Sequence, residues 1–193
     1  MALAAEKPAT YDDLLALPPH VVGQIVGGRL VTQPRPAPRH AVAYAGLGGE
    51  LVGPFDKGRG GPGGWWILDE PEIHVGADVV VPDLAGWRRE RMPTLPDTAW
   101  FGLPPDWLAD ILSPATARFD RADKLPLYAR WGVAHVWLVD PDLRTLEACA
   151  NEEGALGAAR DAGGRRAGAP AAVRRGGLFA VVAVARVKHG DAF

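Results

Sequence analysis

The chain has 193 residues, 48% hydrophobic and 23% charged, with a formal net charge of -2. That composition is globular rather than disordered, and the length suits one core, since single domains commonly run to roughly 100 to 200 residues. No apolar run reaches the roughly 18 residues of a membrane span, the lone Cys149 excludes an internal disulfide and a cysteine-cluster zinc site, and the near-neutral charge gives no global attraction to nucleic acid.

Met1 to Pro8 carries no basic region followed by an apolar core, so a cytoplasmic protein is expected. Thr10 as a cap, Asp12 and Asp13 in the first turn and Pro18 as a stop predict a short helix. Val21 to Val31 predicts a hairpin turned at Gly27 and Gly28, with Gln24 among apolar neighbours. His40, Tyr44, Leu47 and Leu51 share one face of a predicted helix that stops before Pro54. Glycine at five of the seven positions from Gly58 to Gly64 predicts a flexible loop, and Trp65 starts a strand. Glu70 to Val75 alternates as a half-exposed strand does, turning at Gly76 into a more buried strand from Asp78 to Trp87. Pro82 marks a strand end, bulge or edge within that run.

Arg88 to Asp106 is a long polar excursion in which Trp100, Phe101 and Leu103 are suited to cover a core edge. Leu108 to Leu112 reads as a buried strand ended by Ser113 and Pro114. A helix from about Ala117 to a stop at Gly132 carries Lys124, Leu127, Tyr128 and Trp131 on one face. His135 to Asp140 and Arg144 to Ala150 predict two strands joined at Pro141 and Asp142. The pattern predicts an α/β (α+β) domain over 1–150, a mixed β-sheet flanked by helices. Residues 151–193 read as a loop-rich extension, unassigned over 151–177, with an edge strand at 178–187.

An ionised carboxylate in a buried strand is costly unless paired or metal-bound, so Asp110 demands a partner. Asp83, beside Pro82, poses the same question. Two carboxylates and a nearby lysine suit phosphodiester hydrolysis, in which a metal activates water and lysine orients it or stabilises the transition state. Oxygen ligands favour magnesium or manganese over zinc. Plainer readings stand beside this one: strand-end aspartates cap turns, and Asp120 and Lys124, four apart, make a surface ion pair. Lys124 also shares its face with large apolar residues, which points to a partly buried ammonium aimed at acids.

His40 is a candidate contact for a phosphate or catalytic water, or a structural histidine. His74 and His135 lack ligand spacing for zinc, and His20 and His189 read as exposed. Arg165, Arg166, Arg174 and Arg175 form a segment that either tracks a nucleic-acid backbone or is a solvated linker. Trp107 and Trp137 lie in strand patterns and read as core.

The residues Val81-Pro82-Asp83, Asp110 to Thr116, Asp120, Lys124, Tyr128-Ala129, Gly132-Val133 and Trp137 to Pro141, in this order, resemble the Uma-two family. These are bacterial restriction endonucleases of the PD-(D/E)XK nuclease superfamily, and the resemblance covers roughly Thr10 to Ala150. It implies a restriction-endonuclease-like core and magnesium- or manganese-dependent cleavage of nucleic acid, DNA foremost, with a homodimer suggested by analogy with restriction-type nucleases. It implies Asp83 as first metal ligand, Asp110 in the second acidic position, and Lys124 as the lysine displaced from the strand onto the following helix. Gln24 falls where the family usually carries a supporting glutamate. Asp110 replaces a usual glutamate and Gly27 a common aspartate. The rival these departures raise is a catalytically weakened nuclease fold acting as a nucleic-acid or protein-binding module.

Overall fold

The computed structural model describes residues 7–33, 37–151 and 179–186, the last segment as backbone alone. The short helix α1 (Tyr11–Leu15) starts at a capping box: Thr10 accepts from the Asp13 backbone, and the Asp13 carboxylate accepts from the Thr10 N–H. The hairpin β1 (Val22–Val26) and β2 (Arg29–Gln33) turns at Gly27 and Gly28, whose φ values of 58° and 75° suit glycine.

Helix α2 (Pro38–Leu51) buries Ala43, Leu47 and Leu51, the face that the spacing marked. The coil does not stop before Pro54: it continues as a π turn, Val52–Asp56, with Pro54 inside it. Proline cannot donate an N–H and its ring crowds the carbonyl four residues back, and the wider turn accommodates both problems. Gly58 to Gly64 forms a loop, as its glycines indicated, in which Arg59 N–H donates to Gly53 O and Gly63 N–H to Pro54 O, both at 2.9 Å.

The expected strand from Asp78 to Trp87 is in fact two. β4 (Ile73–Val75) and β5 (Asp78–Val80) close a four-stranded sheet in the order β2-β1-β5-β4. After Val81 and Pro82, the chain enters a six-stranded sheet through β6 (Leu84–Arg88), which pairs with β3 (Trp65–Asp69). Pro82 cannot extend the ladder, so Asp83 falls where the chain passes between sheets. The larger sheet runs β10-β9-β8-β7-β6-β3. β7 (Trp107–Ile111) and β8 (His135–Asp140) are parallel and the other pairs antiparallel, making the sheet mixed.

Between β7 and β8 lies the crossover: α3 (Ala117–Phe119), a π turn (Asp120–Lys124) and α4 (Leu125–Arg130). Pro126 follows that π turn, and Gly132, at φ 75°, ends the helix as its position predicted. β9 (Thr145–Asn151) and β10 (Phe179–Arg186) complete the sheet, β10 lying within the span marked as an edge strand. Arg165, Arg166, Arg174, Arg175 and His189 lie outside the described residues. Among the described residues no helix is long and apolar enough to cross a membrane.

Strand alternation sets the faces of β7. Leu108 and Leu112 join the core with Leu127 and Tyr128 of α4, while Trp107, Ala109 and Ile111 join Leu47 and Leu51 of α2. With a period of two, Asp110 must face the α4 side, inside the core.

Candidate active site

A cavity of about 300 Å³ is lined by Asp83, Asp110 and Lys124 together with His40, Glu70 and Asp120. The ammonium of Lys124 donates to Asp110 Oδ1 at 2.7 Å and lies 3.3 Å from Asp120 Oδ1, and Lys124 and Asp110 are each 2% exposed. Lys124 therefore meets both acids, and the surface-pair reading of Asp120 and Lys124 fails because both are buried. Tyr128 donates its hydroxyl to Asp110 Oδ2 at 3.1 Å, so each oxygen of that carboxylate has its own donor.

Burial pushes the Asp110 carboxyl up to about 6, with Lys124 opposing and the charges of Asp120 and Asp83 reinforcing it. Burial alone would pull the Lys124 ammonium down, but Asp110, Tyr128 and Asp120 outweigh it and hold the group protonated well above its ordinary value. The 2.7 Å contact between the two is that of a buried ion pair. Burial, then the Asp110 charge, keeps the Tyr128 phenol protonated and able to donate.

Asp83 sits beside this pair because its Oδ2 accepts from the backbone N–H of Ile111, next to Asp110, at 2.7 Å. Its Oδ1 lies 3.2 Å from His40 Nε2, which the N-terminal turn of α2 brings to the cavity. Burial pulls the His40 imidazole down, and Asp83 and Glu70 more than offset it, leaving it raised. Gln24 is fully buried but is not on the cavity wall; its Oε1 accepts from Val81 N–H at 3.0 Å, two residues before Asp83. Among the described residues its Nε2 meets no hydrogen-bond partner.

The sequence reading missed Glu70 and treated Tyr128 as packing. Glu70 follows β3 with a left-handed φ of 43°, and its N–H donates to Asp83 O at 2.9 Å, which ties the two acids to one corner. An exposed acid in an acid-rich stretch carries no mark of this. Tyr128 did carry a signal, since it lies four residues beyond Lys124 on the same helical face. Trp107 and Trp137 pack edge to face at 5.1 Å within the core, as their strand positions indicated. His74 pairs with Glu72 at 2.6 Å, away from the cavity.

Among the described residues no group of three or more His, Cys, Asp or Glu is arranged to hold a metal. Magnesium needs fewer, since it keeps several waters and binds through one or two carboxylates. A carboxylate offers about four lone-pair sites. Asp110 uses two on Lys124 and Tyr128, and Asp83 uses one on the Ile111 N–H with another turned to His40, so hard oxygen donors remain on both. These are the kind of hard oxygen donors that a small divalent ion takes.

A mixed sheet with α2 packed on one face and α4 on the other is a restriction-endonuclease-like core. The sequence pattern of the Uma2 family, described as "Putative restriction endonuclease", matches residues 9–173, and the chain belongs to that family. It is similar in fold to the crystal structure of a "putative nuclease belonging to DUF820" from Anabaena variabilis, with a TM-score of 0.61 and 23% identity over 73% of this chain and 79% of that one. No curated protein matches the chain.

Proposed function

We propose that the chain is a magnesium- or manganese-dependent endonuclease hydrolysing phosphodiester bonds of nucleic acid, DNA foremost. The observation that carries this reading is the buried Lys124–Asp110 pair at 2.7 Å opening on the same cavity as Asp83. Asp83 and Asp110 would hold the ion, which when bound supplies an activated water and offsets phosphate charge. Lys124 would orient a water or offset charge developing on the phosphate. His40 at the cavity wall contacts a phosphate oxygen, and Gln24 supports the segment that carries Asp83. In the same reading residues 1–150 form the nuclease domain and 151–193 a C-terminal extension, and a cytoplasmic location and a homodimer belong to it too.

The rival, a weakened nuclease fold that binds nucleic acid or protein, draws support from Gln24, an amide where a carboxylate would add charge, and from the double engagement of Asp110. Nicking of supercoiled plasmid with magnesium or manganese separates the two. The enzyme predicts metal-dependent nicking lost in Asp83→Asn and in Lys124→Ala. Absence of cleavage on duplex DNA, single-stranded DNA and RNA alike sinks it in favour of the rival.

A further inference from the structure

We infer that Tyr128 is a positioning residue of this site, acting through Asp110. The inference rests on the reading of Asp83, Asp110 and Lys124 given above. Asp110 has a short side chain whose oxygens are divided between two donors, Lys124 at 2.7 Å on Oδ1 and Tyr128 at 3.1 Å on Oδ2. One donor would leave the carboxylate free to rotate; two on opposite oxygens fix its plane. That plane decides where the remaining lone pairs point, and so where an ion or its water can sit.

Packing alone does not explain the residue. Phenylalanine would fill the same volume, and Tyr128 already meets Trp131 edge to face at 5.9 Å. A hydroxyl at a fully buried position is costly without a partner, and the structure gives it Asp110. The crossover makes the arrangement rigid: Asp120, Lys124 and Tyr128 recur every four residues, and Lys124 is gripped by Asp120 on one side and Asp110 on the other. The π turn closed by Leu125 N–H on Asp120 O sets this register, and such turns concentrate at functional sites. The Lys124 Nζ lies 5.7 Å from the Tyr128 ring centroid, so ring, ammonium and carboxylate form one buried unit.

The test is Tyr128→Phe in the full chain, which keeps the ring and removes the hydroxyl. Mn²⁺ binding is read by electron paramagnetic resonance beside nicking of supercoiled plasmid. Removing the outer partner of a metal-ligating group typically costs about 10- to 100-fold in affinity or activity, and a loss of that size is expected in Mn²⁺ affinity and in kcat, with KM for plasmid unchanged. In an Asp110→Asn background, adding Tyr128→Phe is expected to weaken Mn²⁺ binding no further, and a further loss there overturns the inference. Parent-like affinity and kcat in Tyr128→Phe, with only Tm lowered, also overturns it, and leaves the functional reading standing if Asp83→Asn still loses the ion. A parent chain that binds no Mn²⁺ overturns both.

Discussion

At the scale of single residues, Lys124 and Asp110 carry opposite charges into a core where each is 2% exposed. Removing one partner leaves a buried charge uncompensated, so Lys124→Ala is expected to destabilise the fold by about 3 to 5 kcal/mol in urea titrations. The triple change Asp110→Asn, Asp120→Asn and Lys124→Met removes all three buried charges and is expected to recover most of that loss; a triple variant as unstable as Lys124→Ala contradicts the pairing. Asp110 was legible because a charge inside an apolar run is chemically conspicuous. Lys124 was only half legible: the four-residue spacing to Asp120 suggests a surface pair, and burial, which no spacing reports, decides otherwise. Cys149 gives an independent check. Burial raises its thiol from 9.0 to about 11, so above pH 9 the unfolded chain releases a proton that the folded chain keeps. Stability conferred by the protonated thiol is complete below pH 9 and is lost as pH rises toward 11. The parent's urea midpoint is therefore expected to fall more steeply over that range than that of Cys149→Val, and equal slopes contradict it.

At the scale of elements, the two π turns are where local structure departs from the sequence pattern. Periodicity identifies helices but does not resolve one extra residue in a turn, although Pro54 and Pro126 mark both places in hindsight. Glycine content marked the loop, but composition says nothing of the carbonyls of Gly53 and Pro54 that accept hydrogen bonds from it. A Cβ on Gly61 would lie 2.4 Å from Pro54 Cβ and 2.8 Å from its Cα and carbonyl oxygen, so Gly61→Ala forces backbone to move. Overpacking of this kind costs about 1 to 3 kcal/mol. Thermal unfolding is expected to show it, whereas a flexible loop would absorb the methyl without change. Pro82 was correctly read as a break in the ladder. That the break sends β5 and β6 into different sheets was not readable, because both halves of the run are apolar and either could pair with either sheet.

At the scale of the whole molecule, the two sheets share one core. Val26, Ile73 and Val80 of the smaller sheet pack in the same cluster as Leu108, Val136 and Leu138 of the larger, which predicts a single cooperative transition. Tryptophan fluorescence and far-ultraviolet dichroism should report coincident urea midpoints, and two separated midpoints would mean that the sheets unfold independently. Mixed α/β class and element order were legible because amphipathic periods and turn residues are local. The division into two sheets depends on contacts remote in sequence. This architecture brings Asp83, from the passage between sheets, against Asp110, from the centre of one of them, and the claim that they share an ion is tested most directly by crystals soaked in Mn²⁺. An anomalous difference peak at about 2.0 to 2.6 Å from an oxygen of each carboxylate is the predicted result. A fully occupied Mn²⁺ elsewhere on the chain, with the Lys124–Asp110 pair undisturbed and no density between Asp83 and Asp110, would contradict it.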